Sequence, residues 1–284
     1  MFKALNIGAI GVRAGFARSV ELAGKYGFAG VYFNPAEVVR TGIARAKSVL
    51  ENHYVRAAGF GLPVDFRRDE ERFRNDLAQL APLAHAAAEV GCLRCSTWIR
   101  PASDKLPFKE NFELHRRRLG AAAKVLARYK IRLGLEFVGP KTSREGKKHE
   151  FIYTASGMLE LCRAIGTGNV GLLLDCWHWY TSGGTTKDFD NWSNETIVDV
   201  HVNDAPKGVP VDKQRDAVRC LPGETGVIDI KGFLGGLQSI GYDGPVMAEP
   251  FSERVREMEA EDAVRVTKES LDKIWETARI GNSG

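Results

Sequence analysis

At 284 residues, with 44% hydrophobic and 27% charged side chains, the chain can bury a sizeable core without disulfide staples. No apolar run reaches the roughly 18 residues of a membrane span, and the N-terminal MFKALNIGAIGVRAG lacks the features of a secretory signal, so a cytoplasmic location without a membrane partner is expected. The net charge of +4 is spread over Lys and Arg interspersed with Asp and Glu, which argues against a nucleic-acid partner.

Short β-rich runs alternate with longer amphipathic stretches along the whole chain. KALNIGAI (3–10), FAGVYFN (28–34) and VRAAGFG (55–61) predict the first three strands, and KYGFAG (25–30) reads as a helix C-cap turning into the second. DEERFRNDLAQLAPLAHAAAEVG (69–91) has helical spacing, acids in its first turn and a terminal glycine. The fourth strand, CLRCSTWI (92–99), contains Cys92 and Cys95. Two strand residues three apart face opposite ways, and no second CxxC is present, so packed thiols are expected rather than a zinc or redox site. The odd total of five cysteines implies no disulfide framework.

NFELHRRRLGAAAKVLARYK (111–130) predicts a helix leading into the fifth strand, IRLGLEFVG (131–139). The basic stretch GPKTSREGKKHEFIYT (139–154) reads first as a solvated loop, with a lid or an anion-binding role as the alternative. SGMLELCRAIG (156–166) predicts a helix before the sixth strand, NVGLLLD (169–175), and IVDVHVN (197–203) is the seventh. A tight turn in RCLPGETGVIDI (219–230), with Asp229 as a candidate cap, precedes the helical IKGFLGGLQSIGYDG (230–244) and the eighth strand, GPVMAEPF (244–251). Eight strand–helix units without a linker predict a single α/β domain over 1–284, a (β/α)8 TIM barrel.

Such a barrel carries its functional groups at the C-terminal ends of its strands. Strands five to eight end on Glu136, Asp175, His201 and Glu249. Neighbouring strands lie about 4.8 Å apart, so closure would aim all four at one point. Three carboxylates crowded together repel one another unless a cation neutralises them. One divalent ion is therefore expected, and the mixed oxygen and imidazole set suits Mn2+ first, then Mg2+, Co2+ or Zn2+.

His178 follows Asp175 by three residues, as an outer ligand or as a hydrogen-bond donor to a substrate hydroxyl. Trp177 and Trp179 could wall the mouth of the pocket or simply pack. Arg219 is a fork donor for substrate oxygens or a carboxylate, and Glu224 is placed to orient Arg219 or His201. Asn34, Asp65, Arg67, Trp98 and Arg100 are further pocket candidates near the ends of strands two to four.

LEFVGP, LLLDCWH, VHVNDAP, RCLPGETGVID and AEPF together resemble the xylose isomerase-like barrel superfamily, the sugar phosphate isomerase/epimerase group, over nearly the whole chain. The resemblance implies Glu136, Asp175, His201 and Glu249 as metal ligands. In the epimerase branch, Glu136 and Glu249 are also the acid/base pair, with His178 and Arg219 touching substrate. It implies a metal-dependent isomerase or epimerase that acts on a sugar or keto-sugar by proton transfer through a metal-bound cis-enediolate. The alternative is a lyase or dehydratase on a keto-inositol or 3-keto-glycoside, and a third reading is a sugar-binding barrel without turnover. The three-zinc nuclease branch is disfavoured, because GFGLPVDF and CSTWIRP carry no histidine and no Asp-x-His follows His201 before Gly223. A small carbohydrate is the expected partner, and a homo-oligomer is left open.

Overall fold

Eight parallel strands close on themselves in the computed structural model, which describes residues 1–281; the last three positions of the expected 1–284 domain lie outside the described residues. They are β1 (Phe2–Leu5), β2 (Gly30–Tyr32), β3 (Arg56–Gly61), β4 (Arg94–Ile99), β5 (Arg132–Phe137), β6 (Val170–Asp175), β7 (Ile197–Val202) and β8 (Pro245–Ala248). Each pairs with its sequence neighbours, and β1 pairs with β8 from Phe2 opposite Pro245 to seal the ring. The expected (β/α)8 barrel is the fold.

The first strand is shorter than its sequence suggests. Ile7, Ala9 and Ile10 are buried, which gives the run its strand-like composition. After Leu5 the backbone turns on itself, with Ala9 N–H donating to the Asn6 carbonyl (3.2 Å) and Val12 N–H to the Ile7 carbonyl (3.1 Å). Burial alone does not distinguish a strand from a turn packed over the barrel.

Helices cover the outside. Asp69 caps Glu70–Glu89 by accepting from the Arg72 amide (2.8 Å), and Asp229 caps Ile230–Ser239 by accepting from Gly232 (2.9 Å). Gly27 and Gly241, in the turns leading into β2 and β8, hold φ of +72° and +68°, a conformation other residues rarely adopt. Among the described residues, no helix is long and apolar enough to cross a membrane.

Strand periodicity splits the core in two. Outward-facing Cys95, Ile99, Leu133, Leu135, Phe137, Leu172 and Leu174 pack in the main cluster beneath the helices. Inside the barrel lie Ala4, Tyr32, Ala58 and Met247. There Asp199 accepts hydrogen bonds from Tyr32 Oη, Ser96 Oγ (3.0 Å) and its neighbour's amide, Val200 N–H (2.9 Å). This buried carboxylate floors the barrel, and burial with the adjoining Asp199 charge holds the Tyr32 phenol protonated. All five cysteines are free, and burial pushes the Cys92 thiol up to about 12 and Cys95 well up, as fits packed thiols.

The basic stretch 139–154 is less free than a solvated loop. Arg144 donates to the Gly139 carbonyl (2.7 Å) and lies 3.8 Å from the Tyr153 ring centroid. His149–Glu150 pairs antiparallel with Ala102–Ser103. Thr142 Oγ1 donates to the Gln214 carbonyl (2.7 Å), which joins this loop to the one after β7. Its residues Lys147 and Lys148 remain exposed.

Candidate active site and metal centre

Glu136 lies near the end of β5, Asp175 ends β6, His201 lies near the end of β7, and Glu249 directly follows β8. Asp175 and His201 are register partners, and His201 pairs in turn with Met247. Side chains two apart on a strand share a face, so Glu249 joins the others at the inner rim. Each of the four offers one ligand atom, and these atoms all lie within 4.8 Å of one another.

His201 Nδ1 is 3.7 Å from Glu136 Oε1 and 3.6 Å from Glu249 Oε2, too far for good hydrogen bonds. Both His201 Nδ1 and Glu136 Oε1 are buried without a hydrogen-bond partner among the described residues. Two orphaned atoms, an imidazole nitrogen and a carboxylate oxygen, facing each other at the head of a carboxylate cluster are what a divalent cation would satisfy. The residues present fit such an ion.

The electrostatics agree. Burial, with Glu249 and Asp175 close by, pushes the Glu136 carboxyl well up despite the pull of His201. Burial would also raise Glu249, but His201 and Arg219 outweigh it and hold it down. Burial opposes charge on His201, yet Glu249, Asp199 and Glu136 raise it to about 10. Without a cation, then, His201 carries a proton at neutral pH where a ligand must carry none. Metal uptake is expected to release at least one proton per ion, with log affinity rising about one unit per pH unit from about pH 6 to 9. Calorimetric titration in two buffers of different ionisation enthalpy measures this, and a pH-independent affinity contradicts it.

Arg219 anchors the other side. Its Nη1 donates to Asp175 Oδ2 (2.7 Å) and Glu249 Oε2 (3.1 Å), and its Nη2 donates to Asp216 Oδ1 (2.8 Å). Its acidic neighbours outweigh the cost of burial and keep it a fixed cation. Asp175 also accepts from the Trp177 amide (2.8 Å), capping the short helix Cys176–Thr181, and from Asn203 Nδ2 (3.0 Å).

Arg219 is delivered by a staple. Asp204 pairs through its backbone with Cys220, and its carboxylate accepts from the amides of Thr225 (2.9 Å), Gly226 (2.7 Å) and Ile228 (3.0 Å). Asn203, Asp204 and Asp216 were missed as site residues in the sequence. The only available signal was the polar Asn–Asp pair directly after an apolar strand.

His178 lies in a buried helix rather than on an exposed loop. Gly139 N–H donates to its Nδ1 (3.2 Å), which leaves the ring proton on Nε2. That nitrogen lies 3.3 Å from Arg219 Nη2, 3.7 Å from Asp216 Oδ1 and 3.9 Å from Glu136 Oε1. Burial lowers its pKa to about 3, so it is a neutral donor at the cluster's edge. A Cβ at Gly139 would lie 2.3 Å from the His178 carbonyl oxygen and 2.6 Å from Thr181 Oγ1. Gly139→Ala is therefore expected to displace this helix, costing about 1–3 kcal/mol of stability and at least about 10-fold in activity. Melting curves and steady-state kinetics read both, and unchanged values of both contradict the close fit.

Two expectations need correction. Trp177 does not wall the mouth: helical rotation after Asp175 turns it inward, its side chain is fully buried, and the Arg219 guanidinium sits 5.3 Å from its ring centroid. Glu224 orients neither Arg219 nor His201. The turn folds it back to accept from the Leu221 amide (2.9 Å) while its other oxygen meets Arg254 (2.9 Å). Trp179 likewise packs against Phe233 and donates to Asp188 (2.9 Å). Trp98, by contrast, is exposed near the end of β4.

Residues 20–274 match the family model described as xylose isomerase-like TIM barrel. An inosose isomerase of Halalkalibacterium halodurans is 29% identical over 147 residues, 51% of this chain and 49% of that protein. The chain thus aligns with about half the length of that relative. A 3-dehydroshikimate dehydratase of Pseudomonas aeruginosa is 33% identical over 98 residues, 34% of this chain and 15% of that protein. Among solved structures, a xylose isomerase domain protein from Alicyclobacillus acidocaldarius superposes with a TM-score of 0.88 at 29% identity, covering 98% of this chain and 99% of that one. The IOLI protein with a bound zinc atom gives 0.81 at 19% identity, covering 98% and 99%. D-psicose 3-epimerase from Clostridium cellulolyticum H10 gives 0.75 at 15%, also covering 98% and 99%; these last two show likeness of fold.

Proposed function

Because the chain belongs to the xylose isomerase-like TIM barrel family, we propose that it is a divalent-metal-dependent isomerase or epimerase of a keto-sugar or keto-inositol. The observation that carries this reading is the four-residue cluster with its two orphaned ligand atoms. Glu136, Asp175, His201 and Glu249 would hold the ion, Mn2+, Mg2+, Co2+ or Zn2+, which when bound supplies Lewis-acid polarisation of a carbonyl.

The remaining chemistry belongs to the chain. Glu249 has the more accessible carboxylate, 17% exposed against 8% for Glu136, and it is held by Arg219. It takes the proton from the carbon beside the carbonyl, and Glu136 returns one to the resulting cis-enediolate. His178 Nε2–H holds a substrate oxygen, Arg219, its fork spent on Asp175, Glu249 and Asp216, keeps those carboxylates in place, and burial of the cluster strengthens each contact by excluding water.

A second reading keeps the same first step. Loss of a β-hydroxyl from the enediolate, instead of reprotonation, gives a dehydratase, and the match to 3-dehydroshikimate dehydratase favours keeping it. One experiment separates the readings. The protein is assayed for bound metal, reconstituted with each of the four ions, and incubated in D2O with ketoses, keto-inositols and 3-keto-glycosides. Deuterium at the α-carbon with an epimeric product supports the isomerase, and a rising conjugated-enone absorbance supports the dehydratase. No exchange with any substrate at full metal loading leaves a binding barrel and overturns both.

A further inference from the structure

The rim between β3 and β4 holds a cation that makes no ion pair among the described residues. Trp98 is the register partner of Glu136. It lies two residues past Ser96, which points into the barrel to reach Asp199, so Trp98 projects to that same side at the rim. The residue is 45% exposed.

Arg67, on the loop after β3, lays its guanidinium 4.3 Å from the Trp98 ring centroid and 4.2 Å from that of Phe66. Its Nη2 donates to the Trp98 carbonyl and, at 3.4 Å, to Thr97 Oγ1. Its Nε is buried without a partner. No acidic side chain forms an ion pair with it among the described residues: Asp65 accepts from the Arg67 backbone amide (3.1 Å) and faces the guanidinium of Arg68 (3.4 Å). At longer range the Asp65 charge favours the cation and that of Arg100 opposes it. Burial pulls Arg67 down to about 10, which leaves it fully charged at neutral pH.

A half-buried guanidinium flattened on an indole, with its Nε unpartnered and no carboxylate in direct contact, is costly unless a ligand supplies a paired anion. We propose that Arg67 and Trp98 form an anion-recognising subsite at the rim of the candidate active site, so that the substrate carries a carboxylate or phosphate group. The inference rests on the reading of that site as one for a hydroxylated keto compound. The guanidinium takes the anionic oxygens, the exposed indole packs the carbon skeleton, and the carbonyl end is left to the cluster beside Glu136.

The test uses the full chain reconstituted with metal and calorimetric titration with three cyclic polyols: quinate (carboxylate), myo-inositol 1-phosphate (phosphate) and myo-inositol (neutral). At least one anionic polyol is expected to bind about 10-fold or more tighter than myo-inositol, and whichever does so identifies the anion. Arg67→Met is expected to weaken that polyol about 10–100-fold while leaving myo-inositol within about two-fold. If Arg67→Met fails to fold, Arg67→Gln reads the same loss, as does a salt dependence of wild-type affinity confined to the anionic polyol. Equal binding of all three, no binding of either anion, or anion affinity unchanged in the variant overturns the subsite. The readout is binding, so absent proton exchange would sink the functional proposal and leave this one standing, and equal binding would do the reverse.

Discussion

Glu249→Gln is expected to slow proton exchange at the substrate α-carbon about 10³-fold, within the range that general acid–base groups contribute. Glutamine has the same shape, and its amide oxygen can still accept from Arg219, whose Nη1 lies 3.1 Å from the native carboxylate. It cannot take a proton at neutral pH, and it brings no charge to a bound ion. Because Glu249 is also proposed as a ligand, bound metal has to be measured alongside the rate. A slow variant with metal retained assigns the loss to proton transfer, whereas near wild-type exchange at full loading removes Glu249 from the mechanism.

Arg219→Met is expected to lower folding stability by about 3–5 kcal/mol, the cost of removing one partner from a buried ion pair. Methionine replaces the stem's packing against Trp177 and Phe251, whose ring centroids lie 5.3 and 4.4 Å from the guanidinium carbon. It leaves Asp175, fully buried, with only the Trp177 amide and Asn203 to answer its charge. Added divalent ion should restore part of the loss, since a cation bound by Asp175 replaces the missing positive charge. Denaturant unfolding with and without metal measures both effects. A loss below about 1 kcal/mol would show that Arg219 does not carry the compensation of Asp175.

The eight strands could be read in the sequence because a buried parallel strand is a local pattern, a short apolar run bounded by turn residues. The cluster could be read for a related reason. Glu136, Asp175, His201 and Glu249 interrupt apolar runs where an ionisable group is costly, and the barrel's topology then brings the strand ends together. Loop contacts carry no such period. Arg219 meets Asp175 across 44 residues of chain, and nothing between them marks the meeting. Glu224 is only five positions from Arg219, yet its turn spends both carboxylate oxygens on Leu221 and Arg254. Trp177 and Trp98 look alike as rim tryptophans, and helical rotation decided that one is buried while register left the other exposed.

The link between Thr142 and Gln214 has a consequence for traffic. It ties the loop after β5 to the one after β7, and the pairing of His149–Glu150 with Ala102–Ser103 ties the same loop to the one after β4. Trp98 stands on the strand next to β5, so a molecule entering there meets a rim whose loops are tied to one another. Thr142→Ala removes the donor hydroxyl and is expected to let the loops after β5 and β7 move separately, read as faster amide exchange in both.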